Sequence, residues 1–137
     1  MIQIICGEKG NGKTKEMLQH ANDALQETQG SIVYVDKSSQ HMYELNNKIR
    51  LINIAEYPVC TYDGFIGFVS GLLSGNHDIE WVFFDSLIKI AHLDDKDIAE
   101  AINALDELAK DTKFIVSISI AEENLPDDVK NKILVSC

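Results

Sequence analysis

The sequence predicts an α/β fold, a three-layer α-β-α sandwich built on a mainly parallel sheet. Three observations carry that expectation. Runs such as Ile32-Val33-Tyr34-Val35, Trp81-Val82-Phe83-Phe84 and Phe114-Ile115-Val116 are continuously apolar, as strands covered on both faces are. The stretches between them carry apolar residues at helical spacing, so strands and helices alternate. Only two prolines, Pro58 and Pro126, interrupt the pattern, with no internal repeat or low-complexity linker. A chain of 137 residues suits one domain, residues 1–137, with one core.

Each element has its own signature. Ile2 to Cys6 reads as the first strand, with Cys6 packing as a small hydrophobe. Met17, Leu18, Ala21, Ala24 and Leu25 share one face of a helix from about Lys13 to Glu27, which Gly30 stops. Ser31 to Asp36 is a short β-branched strand. His41 to Asn47 is long enough for one or two helical turns, and Ile49 to Ile54 reads as a third strand. Phe65, Ile66, Phe68, Val69, Leu72 and Leu73 suit a buried helix from about Asp63 to Leu73, despite Gly64, Gly67 and Gly71. Glu80 to Asp85 is an apolar strand ending in a lone acid. Asp94 or Asp95 can cap the next helix, whose stripe is Ile98, Ala101, Ile102, Leu105, Leu108 and Ala109. Phe114 to Ile120 is the next strand, Pro126 opens a short helix to about Lys132, and Ile133 to Val135 is a last strand.

Composition narrows the function classes. Twelve Lys plus Arg against 22 Asp plus Glu leave a net charge of −10. Nucleic-acid binders draw most of their affinity from neutralising phosphates with basic side chains, so this balance argues against nucleic acid as a ligand of the isolated chain. Residues 1–76 carry 8 acids and 6 bases and residues 77–137 carry 14 and 6, which places the surplus acid in the second half. No run approaches the ~18 apolar residues of a membrane span, and a membrane is not expected as a partner. Cys6, Cys60 and Cys137 are too few and too scattered for a disulfide scaffold or a zinc site, and His20, His41, His77 and His92 show no metal spacing. With no signal-like segment at Met1, a reducing cytoplasm is the expected compartment.

One motif carries chemistry. Gly7-Glu8-Lys9-Gly10-Asn11-Gly12-Lys13-Thr14 satisfies G-x-x-x-x-G-K-[ST], the Walker A or P-loop pattern. Glycines let backbone N–H groups converge on an anion, and the helix that follows presents its positive end. The candidate nucleotide-binding residues are Gly7, Gly10, Asn11, Gly12, Lys13, Thr14 and Lys15. Lys13 is placed for the β and γ phosphates and the Thr14 hydroxyl for Mg²⁺. Asp85, led into by Trp81 to Phe84, fits the second magnesium-shell position, a carboxylate at the end of a core strand. ATP is expected over GTP, because no N-K-x-D motif occurs.

With these residues in order, the chain resembles the P-loop NTPases, and among them the RecA-like branch. The resemblance runs through most of the chain: the P-loop strand, the strand ending in Asp36, the strand ending in Asp85, a helix, then Phe114 to Ser119. It implies a RecA-like core in which that last strand lies between the P-loop strand and the strand ending in Asp85 and often ends in a polar phosphate sensor, matched here by Ser119. The compact chain also resembles small bacterial ATP-binding proteins. Departures from the branch are informative. The residue after Asp85, often a catalytic Glu, is Ser86. The stretch beyond the second strand, where such an acid also occurs, reads Asp36-Lys37-Ser38-Ser39, so Asp36 is the candidate substitute. Ile120 stands where a glutamine often follows the sensor, and Arg50 is the lone arginine, so an arginine finger is scarcely available. The expected activity is Mg²⁺-dependent ATP binding with weak or partner-dependent hydrolysis. Asp36 and Ser119 are the catalytic candidates, and a protein partner or homo-oligomer would supply what is missing. The alternative is a small nucleoside or metabolite kinase, similar to thymidine kinases in layout but without their zinc-binding cysteines.

Overall fold

In the computed structural model, which describes residues 1–94 and 97–137, strands and helices alternate along the chain. The strands are β1 (Ile2–Cys6), β2 (Ser31–Asp36), β3 (Arg50–Asn53), β4 (Ile79–Phe84), β5 (Lys113–Ile118) and β6 (Ile133–Ser136). The helices are α1 (Lys13–Ala24), α2 (Tyr62–Gly75), α3 (Leu87–Ile90) and α4 (Ile98–Ala109), with 3₁₀ turns at Ile54–Glu56, Glu122–Asn124 and Asp127–Lys132. The six strands form one sheet in the order β3-β2-β4-β5-β1-β6, and each described pairing is parallel.

Alternation along each strand sorts its side chains between two apolar layers. Ile2, Ile4, Cys6, Val33, Val35, Val82, Phe84, Phe114 and Val116 face one core, shared with Phe65 and Val69 of α2 and with Ile102 and Leu105 of α4. Ile5, Ile32, Tyr34, Phe83 and Ile115 face the other, shared with Met17, Ala21 and Ala24 of α1. Burying one such large side chain contributes about 1.5–3 kcal/mol. Phe84 anchors the first layer: its ring centroid lies 5.1 Å from that of Phe114 and 5.6 Å from that of Phe65, both edge-on. In the second layer Trp81, Phe83 and Tyr34 stack in a row, with centroid spacings of 5.9 and 6.0 Å. The Lys113 ammonium sits 4.7 Å above Trp81. Because the sheet is parallel, the carboxyl ends of β1, β2, β4 and β5 share one edge, where an open α/β sheet presents its loops. β5 lies between β1 and β4, as the resemblance implied.

Several boundaries differ from the expectation, each for a local reason. α1 ends at Ala24, because the Leu25, Gln26 and Glu27 amides bond three residues back and the Thr28 hydroxyl donates to the Ala24 carbonyl at 2.6 Å. Residues 41–47 make no helix: the Glu44 amide reaches the His41 carbonyl in a single turn. The third strand stops at Asn53, where the Asn53 side chain caps a 3₁₀ turn. α2 runs longer than expected, because the Thr61 hydroxyl accepts the Gly64 amide at 2.9 Å and starts it a residue early. Asp97, rather than Asp94, caps α4 by accepting the Ala99 and Glu100 amides, and Asp95 lies outside the described residues. α3 has no counterpart in the sequence expectation, and the turn after Pro126 is 3₁₀. β5 stops at Ile118, after which the Ile120 carbonyl accepts the Gly7 amide. Among the described residues no helix is long and apolar enough to cross a membrane.

Candidate functional site

Residues 7–12 turn the chain from β1 into α1. Gly10 and Gly12 both sit at φ +89°, in the left-handed region where a side chain costs about 1–2 kcal/mol. Gly7 is closed in by the end of β6: a Cβ added there would stand 2.9 Å from the Cys137 Cβ. Gly12 caps α1 without a side chain, so the first amides of the helix are left for an outside acceptor. Lys13 is buried, and its ammonium folds back to donate to the Glu8 carbonyl at 2.9 Å. The loop thus curls around its own lysine, and the Asn11 amide donates to the same Glu8 carbonyl at 3.2 Å.

The facing wall is built from β2, β4 and β5. Asp85, one residue past β4, is 3% exposed and accepts two hydroxyls: Tyr34 Oη donates to Oδ2 and Ser117 Oγ to Oδ1, each at 2.8 Å. Burial, reinforced by the adjacent Asp85 charge, pushes the Tyr34 phenol far above its ordinary value, so it stays a donor. Ser117 Oγ also accepts the Ser86 amide at 2.7 Å. Ser86 itself is left-handed, at φ +64°, and its Oγ accepts the Lys37 ammonium at 3.2 Å. Asp36 is 3% exposed and accepts the Lys37 amide at 2.7 Å. Desolvation first, and the Asp85 charge second, raise its carboxyl above the usual range.

Between the walls lies a cavity of about 610 Å³. Of the residues expected from the sequence, Gly10, Gly12, Lys13, Thr14, Lys15, Asp85 and Ser119 line it. Gly7 and Asn11 shape the loop, while Asp36 is buried beside the cavity rather than in its lining. Ser119 stands past the end of β5, and the serine bonded to Asp85 is Ser117. Sequence reasoning missed Tyr34, Ser117, Lys37 and His41. The first two are polar residues inside apolar strands, a signal visible in the sequence. His41 lines the cavity with Nδ1 2.6 Å from Glu44 Oε2, a partner three residues away. A second concavity, about 800 Å³ and lined by Ser39, Tyr43, Asn46, Asn47, Asn53, Glu56 and their apolar neighbours, has no basic side chain among its described lining residues.

The donor set suits a hard cation. Thr14 and Asp85 both line the cavity, and each Asp85 oxygen keeps acceptor capacity after its one hydroxyl bond. Among the described residues no group of three or more His, Cys, Asp or Glu gathers, so a cation here would complete its shell with ligand and water oxygens.

No family model and no curated protein sequence matches the chain. Solved structures do. The flagellar accessory protein FlaH from Methanocaldococcus jannaschii matches with a TM-score of 0.61 at 18% identity, over 95% of this chain and 65% of FlaH. PCH-2 from C. elegans matches with a TM-score of 0.51 at 14% identity, over 98% of this chain and 34% of that one. Domain III of the replication initiation protein DnaA from Thermotoga maritima covers 96% of this chain and 50% of that one, at 14% identity and a TM-score of 0.46. The chain therefore spans less than two thirds of each. The fold is the α/β fold of RecA-like P-loop proteins.

Proposed function

We propose that the chain binds a nucleoside triphosphate, ATP, with Mg²⁺ in the cavity between the Gly7–Thr14 loop and Asp85. One observation supports this above the rest: a left-handed glycine loop with its buried Lys13 opposes, across one cavity, a buried strand-end carboxylate. Loop and α1 amides hold the phosphate oxygens, and Lys13 exchanges the Glu8 carbonyl for them. Magnesium, when bound, would screen the phosphate charge. Thr14 and Asp85 are the residues that would hold it. Tyr34 and Ser117 each donate a hydroxyl to the Asp85 carboxylate and fix its orientation.

Hydrolysis by the chain alone is slow in this reading. Asp85 is the one carboxylate among the described cavity-lining residues, and it is committed to the metal. Ser86 cannot polarise a water as an acid would, and Asp36 is buried and accepts the Lys37 backbone amide. In this reading a protein partner or a second copy of the chain supplies the missing base or cation, and Ser119, which lines the cavity, contacts a terminal phosphate.

Calorimetry with Mg-ATP tests the reading. The chain is expected to bind, and Lys13→Ala to lose at least about tenfold in affinity, since a charge-assisted hydrogen bond contributes about 1.5–3 kcal/mol. Turnover by the purified chain is expected below about 1 s⁻¹, under the range of competent enzymes. Equal affinity of the two proteins would overturn the binding site.

A further inference from the structure

Five lysines line the cavity: Lys9, Lys13, Lys15, Lys37 and Lys89. Three come from the glycine loop and the start of α1. Lys37 does not: it follows β2 on the opposite wall. Its ammonium touches a neutral hydroxyl, Ser86 Oγ, at 3.2 Å, and no carboxylate pairs with it among the described residues. Asp36, its neighbour in sequence, spends Oδ1 on the Lys37 backbone amide instead. A long hydrogen bond to a neutral acceptor is readily exchanged for an anionic one.

Lys37 is also tied to a particular end of the cavity. Its ammonium donates to Ser86, the Ser86 amide donates to Ser117, and the Ser117 hydroxyl donates to Asp85. The left-handed backbone of Ser86, unusual for a residue with a Cβ, lets its amide face Ser117 while its hydroxyl faces Lys37. Asp85 would hold a divalent cation at the outermost phosphates, whereas the loop amides would hold the inner ones. The cation on this chain therefore stands at the terminal-phosphate end.

Resting on the nucleotide reading above, we propose that Lys37 contacts the terminal phosphate of a bound triphosphate from within the same chain. It thereby makes the site distinguish a nucleoside triphosphate from a diphosphate. On binding, the Lys37 ammonium leaves Ser86 Oγ for a phosphate oxygen, and Ser86 keeps its amide bond to Ser117. A diphosphate does not reach Lys37, so it gains nothing from it.

The test is calorimetry with a Mg-loaded non-hydrolysable ATP analogue and with Mg-ADP. The proteins are the unaltered chain, Lys37→Ala, Lys37→Arg and Lys13→Ala, with Lys48→Ala, an exposed lysine outside the cavity, as the charge control. Lys37→Ala is expected to lose about tenfold or more in affinity for the triphosphate, from one charged hydrogen bond. Its ADP affinity is expected to change by less than about twofold, since the diphosphate gains no bond to Lys37. Lys37→Arg should recover most of the loss, and Lys48→Ala should match the unaltered chain. A Lys37→Ala chain that loses both nucleotides equally, or neither, overturns the proposal while leaving a Lys13-dependent site standing. An unaltered chain that binds neither nucleotide overturns the nucleotide reading itself, and this proposal with it.

Discussion

Two buried acids share the site and answer to different environments. Asp85 is held by two hydroxyl donors, whereas Asp36 has one backbone amide and faces the Asp85 charge. Burial first, and that charge second, raise the Asp36 carboxyl above its ordinary range, and the Lys37 amide offsets this in part. The fold therefore favours the protonated form. The stability contributed by Asp36 is full below the ordinary carboxylate range and is lost as pH rises through the raised folded value. Asp36→Asn keeps an oxygen for the Lys37 amide and removes the buried charge. The variant is expected to melt above the unaltered chain at pH 7, with the gap closing as the pH falls below about 4. Melting curves across pH without nucleotide check this, and a gap independent of pH would contradict it. The glycine motif and Asp85 were legible as residues because their chemistry needs fixed types at fixed spacing. Tyr34, Ser117 and Lys37 were not, because three strands distant in sequence bring them together.

At the scale of elements, periodicity located the strands and long helices well and their ends less well. Ends depend on single hydrogen bonds, such as Thr61 to the Gly64 amide or Asp97 to the Ala99 amide, which compete with neighbours of the same type. The sequence offered Asp94 or Asp95 as the cap, whereas among the described residues Asp97 accepts the first free amides of α4. α3 was invisible because four residues are too few to show a period. The glycines of α2 weakened its signal without breaking it, because Phe65 and Val69 are fully buried against the sheet and packing outweighs propensity. Gly67 is exposed in mid-helix, and a Cβ there would meet nothing within 4 Å. Gly67→Ala is accordingly expected to raise stability by about 0.5–1 kcal/mol, as read by urea unfolding with unchanged m.

For the whole molecule, the net charge of −10 and a cavity with five lysines are compatible because charge is distributed unevenly. The halves differ already in sequence, but which lysines converge depends on strand order, and strand order is a tertiary property. Within that order β1 has a special position: its two neighbours are β5 and β6. Both belong to the far end of the sequence, from Lys113 onward. The strand that carries the glycine loop thus leaves the ribosome before either neighbour and waits unpaired until β5 emerges. Chains arrested in translation with Lys113 still inside the exit tunnel should be cut readily by protease within residues 1–24 and retain no nucleotide. Chains arrested on a long spacer after Cys137 should resist and retain it. Protection arising before β5 emerges would disprove this order. The strand made before its neighbours is seated after them, so the site is completed by a segment made more than a hundred residues after the glycine loop's strand begins.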